Sequence, residues 1–371
     1  RQLALFGTAL DEWMNVQRAW MYIEAIFGAT DMMRQLPDES KAFAGVDKAW
    51  RTLMKKVHAD PSALKQATAP GVLEGLREKA ATLAWVQKRI EEFLETKRQA
   101  FPRFCFLSND ELLEILSQSR NFHAVQPHLI QCFDNIKRLR FGAAQIGAVD
   151  VEGMSSAEGE YVPFSKPTKA RGAVEDWLGR IEHMMVSSLR RLLAQAVADY
   201  EGRPRLEWAR RHPSQCVTTA AQIFWGVFVA RAFAHPEAMA RLAALEALHG
   251  RQVAQLTELA VVVSGAQDPI FRRTLVALIT ADVHARDITN EMVEARVDSA
   301  SSFMWQMQLK FEANYSGDGG EHLDCCVRQV RAARPLLTMA PLTMAPLTVA
   351  LLTMALLTTA LLTTALLTTA L

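Results

Sequence analysis

The sequence predicts a mainly α protein, an elongated multi-helix bundle rod with a small β-rich insertion near residues 141–173. Three observations support this fold class. Apolar residues recur every three or four positions over long stretches, as in amphipathic helices. A Gly- and Pro-rich segment separates two such halves, and the composition, with 50% hydrophobic and 22% charged residues, is sufficient for a substantial core.

The first helical part is predicted to occupy residues 1–140. Pro37 and the Asp60-Pro61 pair interrupt it, because proline ends or begins helices. The apolar stripes between these breaks include several Trp and Phe side chains, which we interpret as a packing face. They predict helices over residues 3–27, 43–57, 73–100 and 127–140.

The stretch 101–116 is predicted to change local structure twice. Pro102 ends the preceding helix and favours an extended Phe101. The continuously apolar residues 104–107 suit a short buried extended segment, and a helical turn remains the alternative. Ser108 followed three residues later by Glu111 matches a capping box, so a new helix is expected to begin at Asn109.

Residues 141–173 are interrupted by seven Gly or Pro residues, which predicts the β-rich insertion. The second helical part follows at residues 174–312. Its last helix is expected to be divided near Asp287. The predicted helices cover residues 174–200, 216–231, 237–263 and 270–297. Residues 313–334 are predicted to form a degenerate connection.

Two segments superficially suggest chemistry. Residues 142–147 have the Gly-x-x-x-x-Gly spacing of a phosphate loop but lack the following Lys and Ser or Thr. Residues 282–287, Asp-Val-His-Ala-Arg-Asp, could suggest a catalytic or metal cluster. However, His284 and Asp287 lie one helical turn apart and can satisfy each other or cap a helix end. We therefore predict no catalytic, cofactor-binding or metal-ligating residues.

Charge and cysteine content exclude further classes. The 41 Lys and Arg residues balance 40 Asp and Glu residues, so the net charge of +1 gives no electrostatic case for nucleic-acid binding. The five cysteines form no Cys-x-x-Cys pair, which favours free thiols in a reducing compartment. The chain begins at Arg1 without a signal-peptide pattern, and we expect it to start inside a larger protein.

The C-terminal segment 335–371 contains seven five-residue units and no charged residue. By hydropathy and length it could cross a membrane. The five-residue period of this segment would nevertheless distribute the apolar residues around the whole circumference of a helix, and no aromatic residues flank the segment as they flank many membrane spans. The favoured interpretation is an artefact or a non-functional low-complexity tail, of the kind that translated repetitive DNA, a frameshift or an incorrect gene prediction produces, and a membrane anchor is the main alternative.

Several sequence blocks occur in a fixed order and carry a family resemblance. FPRFCFLSNDELLEILSQ at 101–118 is followed by AVQPHLIQCFDNI at 124–136 and SAEGE at 156–160. Together they resemble the linker region of dynein heavy chains, in the axonemal form. Further blocks extend the likeness: EWMNVQRAWMYIEAIF at 12–27, QLPDESKAF at 35–43, VEDWLGRIEHMM at 174–185, QIFW at 222–225, DVHARD at 282–287 and FMWQMQLKFE at 303–312.

The resemblance implies a mechanical linker that transmits nucleotide-driven movement in the microtubule-based motility of cilia and flagella. Phosphoryl transfer needs a phosphate-binding loop followed by Lys and Ser or Thr, and because the sequence contains no such loop we predict no ATPase activity for these residues. The resemblance implies a parent microtubule motor ATPase that uses ATP and Mg²⁺. The implied partners are the AAA+ ring of the same heavy chain, intermediate and light chains, and microtubules indirectly. The implied location is the cytoplasm and cytoskeleton, in the axoneme.

Two alternatives come from other functional classes. A non-motor helical scaffold or adaptor would need an internal repeat of about 30 to 50 residues, and residues 1–312 contain none. A helical protein anchored to a membrane would use the repeat at 335–371. Neither nucleic acid nor a membrane is the favoured partner.

Overall fold

The computed structural model describes residues 2–118, 121–145, 147–316, 322–328, 330–331 and 334–335. The chain folds into two compact units. The first unit consists of Arg1–Phe133, Phe141–Val151 and Lys169–Ile181. The second consists of Asp134–Arg140, Glu152–Thr168 and Glu182–Leu371.

The described residues are mainly α-helical, which confirms the predicted fold class. The α-helices are α1 (Gln2–Phe27), α2 (Thr30–Gln35), α3 (Pro37–Ala59), α4 (Ala63–Ala67), α5 (Val72–Ala100), α6 (Asn109–Ser117), α7 (Leu129–Cys132), α8 (Val174–Asp199), α9 (Arg205–Arg211), α10 (Ser214–Phe233), α11 (Ala238–Ser264), α12 (Pro269–Glu294) and α13 (Phe303–Gln306). Two 3₁₀ helices cover Pro102–Phe106 and Phe122–His128.

The strands form three small sheets. Their bounds are β1 (Ile136–Gln145), β2 (Ala148–Ser156), β3 (Tyr161–Ala170), β4 (Lys310–Ser316), β5 (His322–Arg328), β6 (Val330–Arg331) and β7 (Arg334–Pro335). The first sheet has the order β1-β2-β3, while β4 pairs with β5 and β6 with β7, both antiparallel. The predicted β-rich insertion is therefore present.

Aromatic side chains join α1 to α3 in the first unit. The Trp50 ring lies 5.9 Å from Trp13 and 6.1 Å from Trp20, measured between ring centroids. The Trp20 indole Nε1 donates to Asp47 Oδ1 at 2.9 Å, so its polar edge is also satisfied. The predicted aromatic stripe of α1 is thus a packing face.

The segment after α5 is a 3₁₀ helix, Pro102–Phe106, so the favoured extended segment was wrong and the helical turn is correct. Phe101 is extended, and Pro102 then starts the turn with its fixed φ. The turn places the Phe101 ring 4.9 Å from Phe104 and 6.2 Å from Phe133. Arg103 lies 4.9 Å from the Phe133 ring, so aromatic packing favours the compact turn.

The capping box at the start of α6 is confirmed. The Glu111 backbone N–H donates to Ser108 Oγ at 3.3 Å, and the Ser108 backbone N–H donates to Glu111 Oε2 at 2.9 Å. Gln131 Nε2 donates to the other carboxylate oxygen at 2.7 Å. The hydrogen bonds from Gln131 and Ser108 lower the pKa of Glu111 to about 2.

The helix expected over residues 127–140 was wrong. Only Leu129–Cys132 is α-helical, and β1 begins at Ile136. The C-cap residue Phe133 is already extended, with φ of −131° and ψ of 112°, and Asn135, with φ of 58°, then adopts a left-handed conformation just before β1. The apolar spacing of Leu129, Cys132 and Leu139 fits a helix, but it also fits a short helix followed by a strand.

The four helices predicted in the second half are present, with one correction. We expected α12 to be divided near Asp287, but the helix is continuous from Pro269 to Glu294. Its buried stripe continues past that point through Ala285, Thr289 and Met292. Asp287 lies on the solvent side with 52% of its side chain exposed, so it does not interrupt packing.

The described residues of the predicted connection at 313–334 include most of two paired strands. Strands β4 and β5 pair from Lys310 with Arg328 to Ser316 with His322. Leu323 and Cys325 are buried in a core that includes Ala220 of α10. The five-residue repeat from residue 336 onward lies outside the described residues.

Helix α10 is central to the core of the second unit. By length and composition, it is the one helix among the described residues that could cross a membrane. Its most apolar stretch is 50% buried by the surrounding helices, which is also the behaviour of a core helix.

Substituting Glu111 tests the capping box through its pH dependence. Because the folded pKa is about 2 and the unfolded value is 4.5, this carboxylate stabilises the fold fully above pH 4.5. That stabilisation is lost as the pH falls toward 2. We expect Glu111→Gln to reduce stability near neutral pH and to flatten the stability loss between about pH 4.5 and pH 2, the range between the two pKa values.

Urea unfolding at successive pH values measures this effect. Glu95→Gln is the matched control, since Glu95 is an exposed helical residue without a side-chain hydrogen bond or ion pair in the described part of the chain. Identical pH profiles for Glu111→Gln and the unmodified chain would refute the assignment.

Gly153 in β2 offers a second test. A Cβ atom there would lie 2.6 Å from the Val162 carbonyl oxygen and 2.7 Å from the Tyr161 ring. Gly153→Ala should therefore destabilise the protein by about 1–3 kcal/mol, measured by urea unfolding. Gly179→Ala is the matched control, because nothing lies within 4 Å of its Cβ in α8 and alanine favours helix by about 0.5–1 kcal/mol. Equal stability of the two variants would contradict the close approach of β2 and β3.

Candidate functional site

The Gly142–Gly147 spacing does not lie between a strand and a helix. Gly142 is within β1, and Gly147, with φ of 71°, precedes β2. A phosphate loop presents backbone N–H groups at the beginning of a helix. Here the segment connects two adjacent strands of one sheet, which is a different geometry.

The Asp-Val-His-Ala-Arg-Asp segment is a continuous part of α12, and its side chains have separate partners. Asp287 pairs with its neighbour Arg286 and caps no helix end. The His284 ring lies 6.1 Å from the Trp225 ring, and burial lowers the pKa of His284. The Asp287 carboxylate acts on His284 through its charge and partly opposes the effect of burial on the pKa of His284. Asp282 has a third partner, Arg205.

The described cysteines Cys105, Cys132, Cys216 and Cys325 are free thiols. Burial raises the pKa of Cys132 and of Cys216 to about 12, so these two thiols are poor nucleophiles near neutral pH. Within the described ranges, no three His, Cys, Asp or Glu side chains are grouped so that they could hold a metal ion.

The most developed polar site is a buried ion pair between α9 and α12. Arg205 Nη2 donates to both carboxylate oxygens of Asp282 at 2.6 Å, and Arg205 Nη1 donates to the Tyr200 hydroxyl at 2.6 Å. The Arg205 side chain is 9% exposed and that of Asp282 is 15% exposed. These hydrogen bonds compensate the cost of removing both charges from water.

Aromatic rings surround this ion pair. The Arg205 guanidinium lies 5.5 Å from the Tyr200 ring and 5.7 Å from the Trp208 ring. Burial by itself lowers the pKa of Arg205, but the Tyr200 oxygen and the Asp282 carboxylate outweigh burial and raise it. Arg205 therefore stays charged in the folded protein, and the pair is a fixed structural contact.

Arg205 was not predicted from the sequence, although a signal for its partner was present. Residues 275, 278, 285, 289 and 292 form the buried stripe of α12. Asp282 lies four positions after Leu278 and three before Ala285, so it falls on that stripe. An acidic residue on an apolar stripe requires a buried cation, but the spacing does not identify which one.

Trp208 and Trp225 fix neighbouring helices of the second unit. The buried Trp208 indole Nε1 donates to the Ala196 carbonyl oxygen at 2.8 Å. Trp225, in the QIFW block, donates to Thr289 Oγ1 at 3.2 Å and lies 5.4 Å from the Trp305 ring of the FMWQ block. Two blocks that are 80 residues apart in sequence are thus in direct contact.

The SAEGE block also has a structural role. It joins β2 to β3, and the Glu160 carboxylate accepts a hydrogen bond from the Ser214 backbone N–H at 2.7 Å. Ser214 begins α10, so this carboxylate satisfies a free N–H group and opposes the positive end of the helix dipole. The strand connection is thereby attached to the central helix.

The first unit contains equivalent contacts between charged side chains. Lys97 of α5 pairs with Glu175 in the VEDW block, and both side chains are mostly buried. Arg89 donates to Glu39 of the QLPDES block at 2.9 Å, and Glu39 is 6% exposed. Charged side chains that are paired in this way hold helices together. The contacts described above are therefore those of a helical structural segment.

Comparisons with known proteins identify the family to which this helical segment belongs. The family model described as dynein heavy chain, N-terminal region 2, matches residues 1–196. Dynein axonemal heavy chain 6 of Homo sapiens is 46% identical over 84% of this chain and 8% of that protein. Dynein axonemal heavy chain 2 of Homo sapiens is 38% identical over 89% of this chain and 7% of that protein. Dynein axonemal heavy chain 12 of Mus musculus is 36% identical over 90% of this chain and 11% of that protein.

The chain belongs to the dynein heavy chain family, since the family model covers more than half of it. More particularly, it corresponds to the N-terminal region of an axonemal dynein heavy chain. It spans about a tenth or less of the length of the curated relatives that it matches.

Removing one charge of the buried pair should be strongly destabilising. Asp282→Asn leaves Arg205 buried without a counter-ion, which costs about 3–5 kcal/mol. The double substitution Arg205→Met with Asp282→Leu should cost less than Asp282→Asn alone, because no charge then remains in the site. Urea unfolding measures both free energies.

Glu201→Gln is the matched control for Asp282→Asn. Glu201 pairs with Arg231 at 2.9 Å, but its side chain is 54% exposed. Its loss should change stability by no more than about 1 kcal/mol. Similar costs for Glu201→Gln and Asp282→Asn would show that burial does not govern the Arg205 contact.

Proposed function

We propose that this chain is a mechanical linker segment of an axonemal dynein heavy chain, which transmits nucleotide-driven movement in ciliary and flagellar motility. Family membership supports the assignment to the heavy chain. One structural observation supports the mechanical role. Long helices in each unit are joined by buried charge pairs between residues far apart in sequence, such as Arg205 with Asp282.

Transmission of movement requires a segment that resists deformation. Helices α10, α11 and α12 contain 20, 27 and 26 residues, and they share buried apolar contacts. Sliding one helix along another would break the Arg205 contact with Asp282 and expose apolar surface at the same time. Because both changes cost free energy, the second unit is expected to move as one body.

The source of movement is proposed to lie elsewhere in the heavy chain. ATP and Mg²⁺ would bind the AAA+ ring, which would be the direct partner of this segment. Intermediate and light chains would be partners through the assembled complex, and microtubules would be indirect partners. The site of action would be the axoneme, within the cytoskeleton of a cilium or flagellum.

A full-length heavy chain with this segment replaced by a flexible Gly/Ser linker of equal length tests the proposal. A flexible chain cannot transmit displacement, so ATP hydrolysis should continue while microtubule gliding stops. Phosphate release and gliding speed are the two measurements. Gliding at the speed of the unmodified motor would contradict the mechanical role and favour a passive scaffold.

The 371-residue chain alone is the control for the origin of hydrolysis. Its phosphate release with Mg²⁺ and ATP should equal background. It should also remain in the supernatant when microtubules are sedimented. Hydrolysis above background would place nucleotide chemistry in this segment and overturn that part of the proposal.

A further inference from the structure

A cavity next to the Arg205 and Asp282 pair has polar groups without partners. The inner cavity and an adjacent outer groove share five lining residues: Tyr200, Arg205, Phe228, Arg251 and Gln255. Gln252 also lines the inner cavity and is 8% exposed. We call this site, formed by those six residues, the Arg251 pocket.

Two residues that line the inner cavity, Arg205 and Gln252, each have one buried side-chain atom without a hydrogen-bond partner among the described residues. Gln252 Oε1 and Arg205 Nε have no hydrogen-bond partner within the described part of the chain. Such groups are costly when unpaired, and nearly all buried polar groups in folded proteins are satisfied. The amide of Gln252 can present either its oxygen or its NH₂ group to the cavity, since these atoms are assigned from their partners.

The residues that line the cavity and the groove include three arginines, Arg203, Arg205 and Arg251, and two carboxylates, Glu201 and Asp282, so the lining carries one positive charge in excess. Arg203 pairs with Asp199 and Glu207, and Arg231 pairs with Glu201. Arg205 is neutralised by Asp282. In the part of the chain that the structure describes, each of these carboxylates is thus already paired with an arginine other than Arg251.

Arg251 is the excess cation. Among the described residues, no carboxylate lies within ion-pair distance of it. Its guanidinium instead lies 4.3 Å from the Phe228 ring at the exposed side of the pocket. An arginine held on a ring in this way keeps its N–H groups available to an anion.

We propose that the Arg251 pocket binds the carboxylate side chain of an Asp or Glu residue from a partner protein segment. The carboxylate would accept hydrogen bonds from Arg251 and from Arg205 Nε, and the Gln252 amide would donate to it. The rings of Tyr200 and Phe228 would contact the apolar part of the incoming side chain. This inference goes beyond the mechanical role and does not depend on it.

The charge balance favours a carboxylate over a phosphate group. One excess positive charge matches one carboxylate. Asp282 lines the inner cavity and Glu201 lines the outer groove, so a dianion would be repelled from both sides.

Ligand-observed saturation-transfer NMR on the 371-residue chain tests the proposal. The probe is N-acetyl-glutamate N-methylamide, whose only charge is the side-chain carboxylate, and the corresponding glutamine compound is the uncharged comparison. We expect saturable binding of the glutamate probe alone. Arg251→Gln should weaken it about tenfold, as expected for the loss of one charge-assisted hydrogen bond.

Arg210→Gln is the matched control. Arg210 is another exposed arginine, and its guanidinium lies 4.2 Å from the Phe271 ring, outside the pocket. Its substitution should leave binding unchanged. Gln252→Leu should remain folded, because it removes an unpaired buried amide, and it should weaken binding.

Several outcomes would overturn the assignment. These are the absence of saturable binding to the unmodified chain, equal affinity of Arg251→Gln, and equal affinity of the glutamine probe. Displacement of the glutamate probe by inorganic phosphate at a lower concentration would identify a phosphate site instead. Thermal unfolding of each variant verifies that binding is compared between folded proteins.

Discussion

The second unit depends on the neutralisation of one buried carboxylate. Asp282 lies on the apolar stripe of α12, where an unpaired charge would cost several kcal/mol. Arg205 supplies the counter-charge from the beginning of α9, and Tyr200 accepts a second hydrogen bond from it. The end of α8, the start of α9 and the middle of α12 therefore have one compatible arrangement. Trp208 packs beside the same guanidinium and extends that constraint into the core.

Apolar burial and charge pairing have different physical roles in both units. Burial of stripes such as that of α5 supplies most of the favourable free energy, but apolar contacts are non-directional and define helix register less sharply than hydrogen bonds do. A hydrogen-bonded ion pair defines register more sharply, because its hydrogen bonds have narrow distance and angle ranges. In the first unit, Lys97 with Glu175 and Arg89 with Glu39 join positions 78 and 50 residues apart. We interpret these pairs as the contacts that set helix register.

Local pattern was sufficient for most helices and for the capping box at Ser108, because both depend on residues within a few positions of each other. It was insufficient where tertiary contacts decided the outcome. The extended residue Phe133 ends α7, and Asn135 adopts a left-handed conformation before β1, although the helical spacing of apolar residues continues through this region. Asp287 resembles a helix break in sequence but faces solvent. The Arg205 partner of Asp282 was not predictable, since a separation of 77 residues leaves no periodic signal.

The sequence blocks that resemble the dynein linker coincide with residues that have distant partners. Glu39, Glu160 and Glu175 each accept a hydrogen bond from another element. Trp225 contacts Trp305, and Asp282 contacts Arg205. These blocks therefore encode contact geometry, and their acidic residues take part in structural contacts between elements. A segment specified by such contacts can keep its shape while the chemistry that moves it occurs elsewhere, which is the physical requirement of the proposed mechanical linker.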